Sequence, residues 1–283
     1  MKLTILQAPY DSGYLGVRMG QGPLHLVEQG LLATLEKAGH EVELIPIRLD
    51  GFVTEVTSAP RLHRRIAEGV AAARAEGRLP IVLSGNCNTA AVGTLAGLSS
   101  AGPAGVVWFD AHGDLNTPDT SPSGFFDGMA ISVAMGRAWR PLTSTLPGFQ
   151  PLDDRNLIHV GARDLDPPEL EVIESSPMTR VQVEDLRRNG AEAALEGALR
   201  EIAGRVDQVY VHMDLDVLDP SELKANDYAA PGGLTVAEMV DVVRATARHL
   251  RIAGAGLTAY DPDQDPEGRG IGIAERLLAA VTG

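Results

Sequence analysis

Two short apolar runs, each ending abruptly in charged residues, constrain this chain more than any other feature. Gly105-Val106-Val107-Trp108-Phe109 leads into Asp110-Ala111-His112-Gly113-Asp114, and Gln208-Val209-Tyr210-Val211-His212-Met213 leads into Asp214-Leu215-Asp216. A short run that stays apolar at consecutive positions reads as a strand covered on both faces, which belongs to a parallel sheet between helices. Side chains at alternate positions of an extended chain leave the same face. Asp110, His112 and Asp114 therefore converge at the end of one strand, and Asp214 and Asp216 at the end of the other. Parallel neighbours would merge the two groups into one pocket. Carboxylates gathered there repel one another unless they are protonated or neutralised, and two divalent cations would neutralise them.

The remaining chain alternates in the same way. Lys2–Ala8, Glu41–Ile47, Leu79–Leu83, Asn156–Val160, Val181–Val183 and Ile252–Thr258 read as further strands. Helices are expected from Pro23 to Lys37, Ala59 to Ala75, Ala90 to Leu98, Gly128 to Met135, Ala191 to Ala203, Thr235 to Leu250 and Gly270 to Val281. Strands alternating with helices predict an α/β fold with a mostly parallel sheet and helices on both faces. Thr117–Asp127 and Asn226–Gly233 are turn-rich loops suited to a binding site. With no repeat, low-complexity tract or linker, residues 1–283 read as a single domain.

A net charge of −14 and a pI near 4.9 argue against nucleic acid or an anionic membrane as partner. The first residues lack the basic region and apolar stretch of a signal peptide, and no later run is long enough to span a bilayer, so a soluble cytoplasmic protein is expected. The one cysteine, Cys87, excludes an intrachain disulfide and a cysteine-rich zinc site. It follows the strand Leu79–Leu83, where the loops of an open α/β sheet build their sites. His212 reads as a packing histidine, or one that supports a neighbouring ligand, on the face of its strand opposite Asp214.

Asp110-Ala111-His112-Gly113-Asp114 resembles the D-A-H-x-D metal motif of the arginase/agmatinase superfamily, and Asp214-Leu215-Asp216-Val217-Leu218-Asp219-Pro220 its D-x-D-x-x-D-P motif. The likeness extends through Gly161–Pro167, Gly232-Gly233-Leu234-Thr235 and the last strand. It implies a three-layer α/β/α fold around an eight-stranded sheet, two Mn²⁺ ions, homo-oligomers of three or six chains, and hydrolysis of a guanidino group by water activated between the metals. Carried over by position, one metal would take Cys87, Asp110, Asp114 and Asp214, and the other Asp110, His112, Asp214 and Asp216. Asn116 and Ser123 match positions that hold a substrate α-carboxylate, and Asp166 one that holds an α-amino group, which implies a small guanidino amino acid.

The chain departs from the family at informative places. Cys87 stands where the family has a histidine ligand, and a soft thiolate suits Mn²⁺ less well than imidazole, so this site would hold its metal more weakly or accept a softer ion. Asp127 replaces a histidine that assists proton transfer; it could carry a proton if its pKa were raised, or bind a cationic or N–OH group. Asp261 aligns with a guanidinium-contacting glutamate, one methylene shorter, and Phe125 and Tyr228 reshape the pocket. These changes point to Nω-hydroxy-L-arginine, split into hydroxyurea and L-ornithine. Ordinary arginase or agmatinase chemistry, and a non-catalytic metal-binding relative, are the alternatives.

Overall fold

The computed structural model describes residues 1–283. Eight strands form one sheet: β1 (Lys2–Ala8), β2 (Glu41–Pro46), β3 (Leu79–Ser84), β4 (Gly105–Phe109), β5 (Leu157–Val160), β6 (Thr179–Val181), β7 (Gln208–Asp214) and β8 (Arg251–Thr258). Their spatial order is β2-β1-β3-β8-β7-β4-β5-β6, and every neighbouring pair is parallel.

β3, β4 and β7 are buried at every position, as their unbroken apolar character predicts. Alternate residues feed two separate apolar layers. Val107 and Phe109 pack with the helices Ala191–Ala203, Val236–His249 and Arg269–Thr282, whereas Val106 and Trp108 pack with Glu55–Ala75 and Cys87–Leu98. The result is the expected three-layer α/β/α architecture. No helix is long and apolar enough to cross a membrane.

Several boundaries differ from the sequence reading for identifiable reasons. The helix expected over Pro23–Lys37 is two, Gly22–Glu28 and Leu31–Lys37, separated at Gly30, whose φ of 95° interrupts the helical path. The helix expected from Ala59 begins at Glu55, because Thr54 caps it through a reciprocal pair with Thr57 and Pro60 is accommodated inside it. Val181 ends a strand and Val183 starts the helix Val183–Asn189, so the short strand lies two residues earlier than expected.

The sheet's strand order brings β3, β8, β7 and β4 together although they are far apart in sequence. Leu257 pairs with Leu83, Thr258 with Asp214, and Met213 with Phe109, so these four carboxyl-terminal ends lie in a row. The loops leaving them form the wall of one cleft. Gly85, directly after β3, has no space for a side chain: a Cβ there would lie 2.4 Å from the Tyr10 carbonyl oxygen and 2.7 Å from the Gly20 nitrogen. Both are backbone atoms, so Gly85→Ala is expected to cost about 3 kcal/mol, read as a lower denaturant midpoint with an unchanged slope.

Candidate metal centre

Cys87 is the first residue of the helix Cys87–Leu98 and is buried. Its Sγ lies 2.8 Å from Asp214 Oδ2 and 3.1 Å from Thr258 Oγ1. The exposed backbone donors of this helix start are covered by Asp127. Its Oδ1 accepts from the Asn88 N–H at 2.7 Å, and its Oδ2 from the Cys87 N–H at 3.1 Å and Asn86 Nδ2 at 2.9 Å. A carboxylate is favoured at a helix N-terminus, and here it anchors the segment that carries Cys87. Burial nevertheless holds the Asp127 carboxyl up at about 7, against the pull of those donors.

At the end of β4, the Asp110 carboxylate accepts from Trp108 Nε1 at 3.0 Å and from the His112 N–H at 2.8 Å. His112 Nδ1 stands 3.3 Å from Asp110 Oδ1 and 3.4 Å from Asp216 Oδ2. Burial alone would lower the His112 pKa, yet the charges and hydrogen bonds of Asp216 and Asp110 raise it far above that of a free histidine. Asp114 adopts a left-handed conformation with φ of 52°, which turns its side chain back into the cluster. On β7, Asp214 Oδ1 accepts from the Asp216 N–H at 2.8 Å, and Asp216 Oδ2 accepts from Asn226 Nδ2 at 3.2 Å.

These residues fit a metal. Ligand atoms of Cys87, Asp110 and Asp214 lie within 4.8 Å of one another, and so do those of Asp110, His112 and Asp216, with Asp110 common to both groups. Asp114 Oδ2 is buried and has no hydrogen-bond partner. The Asp114 carboxyl is pushed well above the usual range by burial and by the charges of Asp110, Asp127 and Asp214. Asp214 is raised likewise, by burial and then by Asp216 and Asp110. An orphaned carboxylate oxygen among mutually repelling acids is the state that a divalent cation relieves.

All of these acids face a cavity of about 290 Å³, which Asn116, Ser123 and Asp166 also line. Asn116 Nδ2 donates to Asp166 Oδ2 at 2.8 Å, and Asp166 begins the helix Pro167–Ser175. Phe125 and Tyr228 stack at the rim with ring centroids 5.7 Å apart, and Tyr228 meets the His112 ring edge-on. Asp261 is buried, and its Oδ1 caps the following turn by accepting from the Asp263 N–H at 3.1 Å.

Four residues that contact the site escape the sequence reading. Asn226 and Trp108 hold Asp216 and Asp110; Glu169 lines the cavity and accepts from the Leu115 N–H; Thr258 touches Cys87. His212 is also placed differently from expectation. Two residues before Asp214, it shares that residue's face, with its Nε2 3.4 Å from Thr258 Oγ1. Burial lowers its pKa to about 3, so the ring is neutral.

An all-parallel α/β/α fold with a carboxylate-rich centre able to hold metal at the ends of its central strands is the arrangement that the comparisons with known proteins then place in a class of hydrolases. The model of the Arginase family matches residues 1–283. The chain is 28% identical to the arginase of Bacillus caldovelox over 99% of its own length and 98% of that protein, and 30% identical to the arginase of Brevibacillus brevis over 99% and 97%. The crystal structure of arginase from Bacillus cereus superposes with a TM-score of 0.90 at 27% identity, covering 100% of this chain and 99% of that one. The chain belongs to the arginase family, and with it to the hydrolases that act on C–N bonds of linear amidines.

Proposed function

We propose that this chain is a dinuclear manganese amidinohydrolase acting on an arginine-like amino acid, with Nω-hydroxy-L-arginine as substrate and hydroxyurea and L-ornithine as products. The observation that carries this reading is the division of the cavity wall: metal-ligating groups form one part, and the Asn116–Asp166 pair with Ser123 forms another. Cys87, Asp110, Asp114 and Asp214 would hold one cation, and Asp110, His112, Asp214 and Asp216 the other. Two bound Mn²⁺ would make a strong nucleophile of water near neutral pH and polarise the guanidino carbon.

The chain's own residues would do the rest. Asp166 accepts from the α-ammonium group, while Asn116 and Ser123 donate to the α-carboxylate, which fixes the guanidino end among the acids. Asp127 faces the cavity with one lone pair of Oδ1 still free and a carboxyl held near neutrality. It can therefore carry a proton toward the departing amine. Asp261 is one methylene shorter than glutamate and its Oδ1 is engaged by the Asp263 N–H, so it reaches less far to clamp a fully charged guanidinium. An N-hydroxyguanidine is less basic than a guanidine and depends less on that clamp.

Protein reconstituted with Mn²⁺ and assayed side by side on Nω-hydroxy-L-arginine, L-arginine and agmatine, following ornithine or putrescine, tests this. The expected kcat/KM is at least about tenfold higher for the hydroxy compound than for L-arginine, a difference near 1.4 kcal/mol. Equal or better use of L-arginine would mean ordinary arginase chemistry. Equal use of agmatine would remove the amino-acid assignment of Asp166.

A further inference from the structure

Behind Cys87, on the side away from the cavity, runs a buried chain of polar side chains that the proposed reaction does not use. Tyr210 and His212 are fully buried and Thr258 nearly so. The Tyr210 hydroxyl lies 2.8 Å from His212 Nδ1, His212 Nε2 lies 3.4 Å from Thr258 Oγ1, and Thr258 Oγ1 lies 3.1 Å from Cys87 Sγ. The His212 ring is clamped: it stacks on Trp108 with centroids 3.8 Å apart, and Trp108 in turn donates to Asp110. Gly256 leaves room for the chain, since a Cβ there would lie 2.2 Å from the Tyr210 hydroxyl oxygen and 3.3 Å from His212 Nδ1.

The directions of these hydrogen bonds follow from chemistry. A neutral imidazole has one N–H and one lone pair. With Tyr210 donating to Nδ1, the proton sits on Nε2 and faces the Thr258 oxygen, which leaves the Thr258 hydroxyl hydrogen two acceptors, the sulfur at 3.1 Å and the Met213 carbonyl oxygen at 3.4 Å, of which a thiolate is the nearer and the charged one. A thiolate can only accept. Of the two side-chain groups at Cys87 Sγ, Asp214 is itself an acceptor once ionised, so Thr258 is the one able to donate. Register places it there: Thr258 pairs with Asp214 across β8 and β7.

We propose that Thr258, oriented by His212 and Tyr210, is a positioning residue for the Cys87 thiolate, donating the hydrogen bond that stabilises sulfur as a metal ligand. The proposal rests on the reading of Cys87 as a ligand. A hydrogen bond to a ligating atom lowers its electron donation and fixes its orientation, and loss of such a partner commonly weakens metal binding. The chain would thus fix the orientation of sulfur, as a carboxylate or carbonyl partner does for a ligating imidazole, but with the opposite electronic effect, because it donates to the ligand rather than accepting from it.

The test uses full-length protein loaded with Co²⁺, whose thiolate-to-metal charge-transfer band in the near ultraviolet reports the sulfur directly. Thr258→Val is expected to move that band to lower energy and to weaken Co²⁺ binding about 10- to 100-fold. Thr258→Ser, which restores the hydroxyl, is expected to return both toward the parent values, and Tyr210→Phe to produce a smaller shift of the same sign. An unmoved band and unchanged affinity in Thr258→Val would overturn the proposal. Should that variant fail to fold, the same null result in Tyr210→Phe would overturn it. Absence of the band from the parent protein would instead show that Cys87 is not a ligand, removing the reading beneath the proposal.

Discussion

Replacing Asp214 by asparagine is expected to raise the stability of the metal-free protein while lowering kcat/KM by about 10³-fold or more. The two effects have one origin. Asp214 is buried, and its carboxyl is held up first by that burial and then by the charges of Asp216 and Asp110. A carboxyl whose pKa is raised on folding contributes stability that is present below its unfolded value, near 4, and is lost as pH rises. Metal-free protein should therefore lose stability from about pH 4 toward pH 8. The asparagine variant keeps the Oδ1 acceptor for the Asp216 N–H and removes the charge, so its profile should be flatter. At pH 8 with a chelator the variant should show the higher melting temperature.

Adding Mn²⁺ should reverse the ranking. Metal binding favours deprotonated ligands, so it offsets the repulsion in the parent protein and stabilises it more at high pH. The variant has lost a ligand atom from the group shared with Cys87 and Asp110, and it should gain little from the metal. A 10³-fold loss corresponds to about 4 kcal/mol of transition-state stabilisation, in the range expected when a polarising cation is lost or displaced. A lower melting temperature for the variant in chelator at pH 8 would show that Asp214 is not a site of repulsion.

Much of this centre is readable from the chain because its acids obey the simplest periodicity. Asp110, His112 and Asp114, and again Asp214 and Asp216, follow strands whose burial on both faces is written in their composition. What escapes is whatever depends on register or on a return from a distant segment. Thr258 has no local signature; it matters because parallel pairing sets it opposite Asp214. Asn226 reaches Asp216 from a loop ten residues further on, and its amide also donates to the Ala259 carbonyl oxygen at 2.8 Å, tying that loop to the end of β8. The setting of Asp261 escapes as well, because the backbone around it turns: Ala259 adopts φ of 61°, and the Asp261 N–H is held by the Ala225 carbonyl. Asp127 shows both sides. Its raised pKa meets the condition that the sequence attaches to proton carrying, one of the two roles open to it there, whereas its cap on the helix start required knowing that the two loops meet.

Cys87→His should invert the metal preference of the centre. A thiolate favours soft ions and Mn²⁺ favours oxygen and imidazole, so the parent protein should bind Cd²⁺ far more tightly than Mn²⁺. The histidine variant should bind Mn²⁺ about tenfold more tightly and Cd²⁺ about tenfold less tightly than the parent, a hundredfold change in their ratio. The larger ring has somewhere to go, because Cys87 lines the cavity. The helix start should survive, because Asp127 holds the backbone N–H groups of Cys87 and Asn88 rather than the cysteine side chain. Cys87→Ala separates ligand loss from ligand exchange: it should weaken Cd²⁺ about 10- to 100-fold and Mn²⁺ less, moving the ratio toward Mn²⁺ without the gain in Mn²⁺ affinity that histidine brings. Competition titrations of the three proteins with Mn²⁺ and Cd²⁺ measure these ratios. The same ratio in all three would mean that the metals are held by Asp110, His112, Asp114, Asp214 and Asp216 alone, with sulfur a buried bystander.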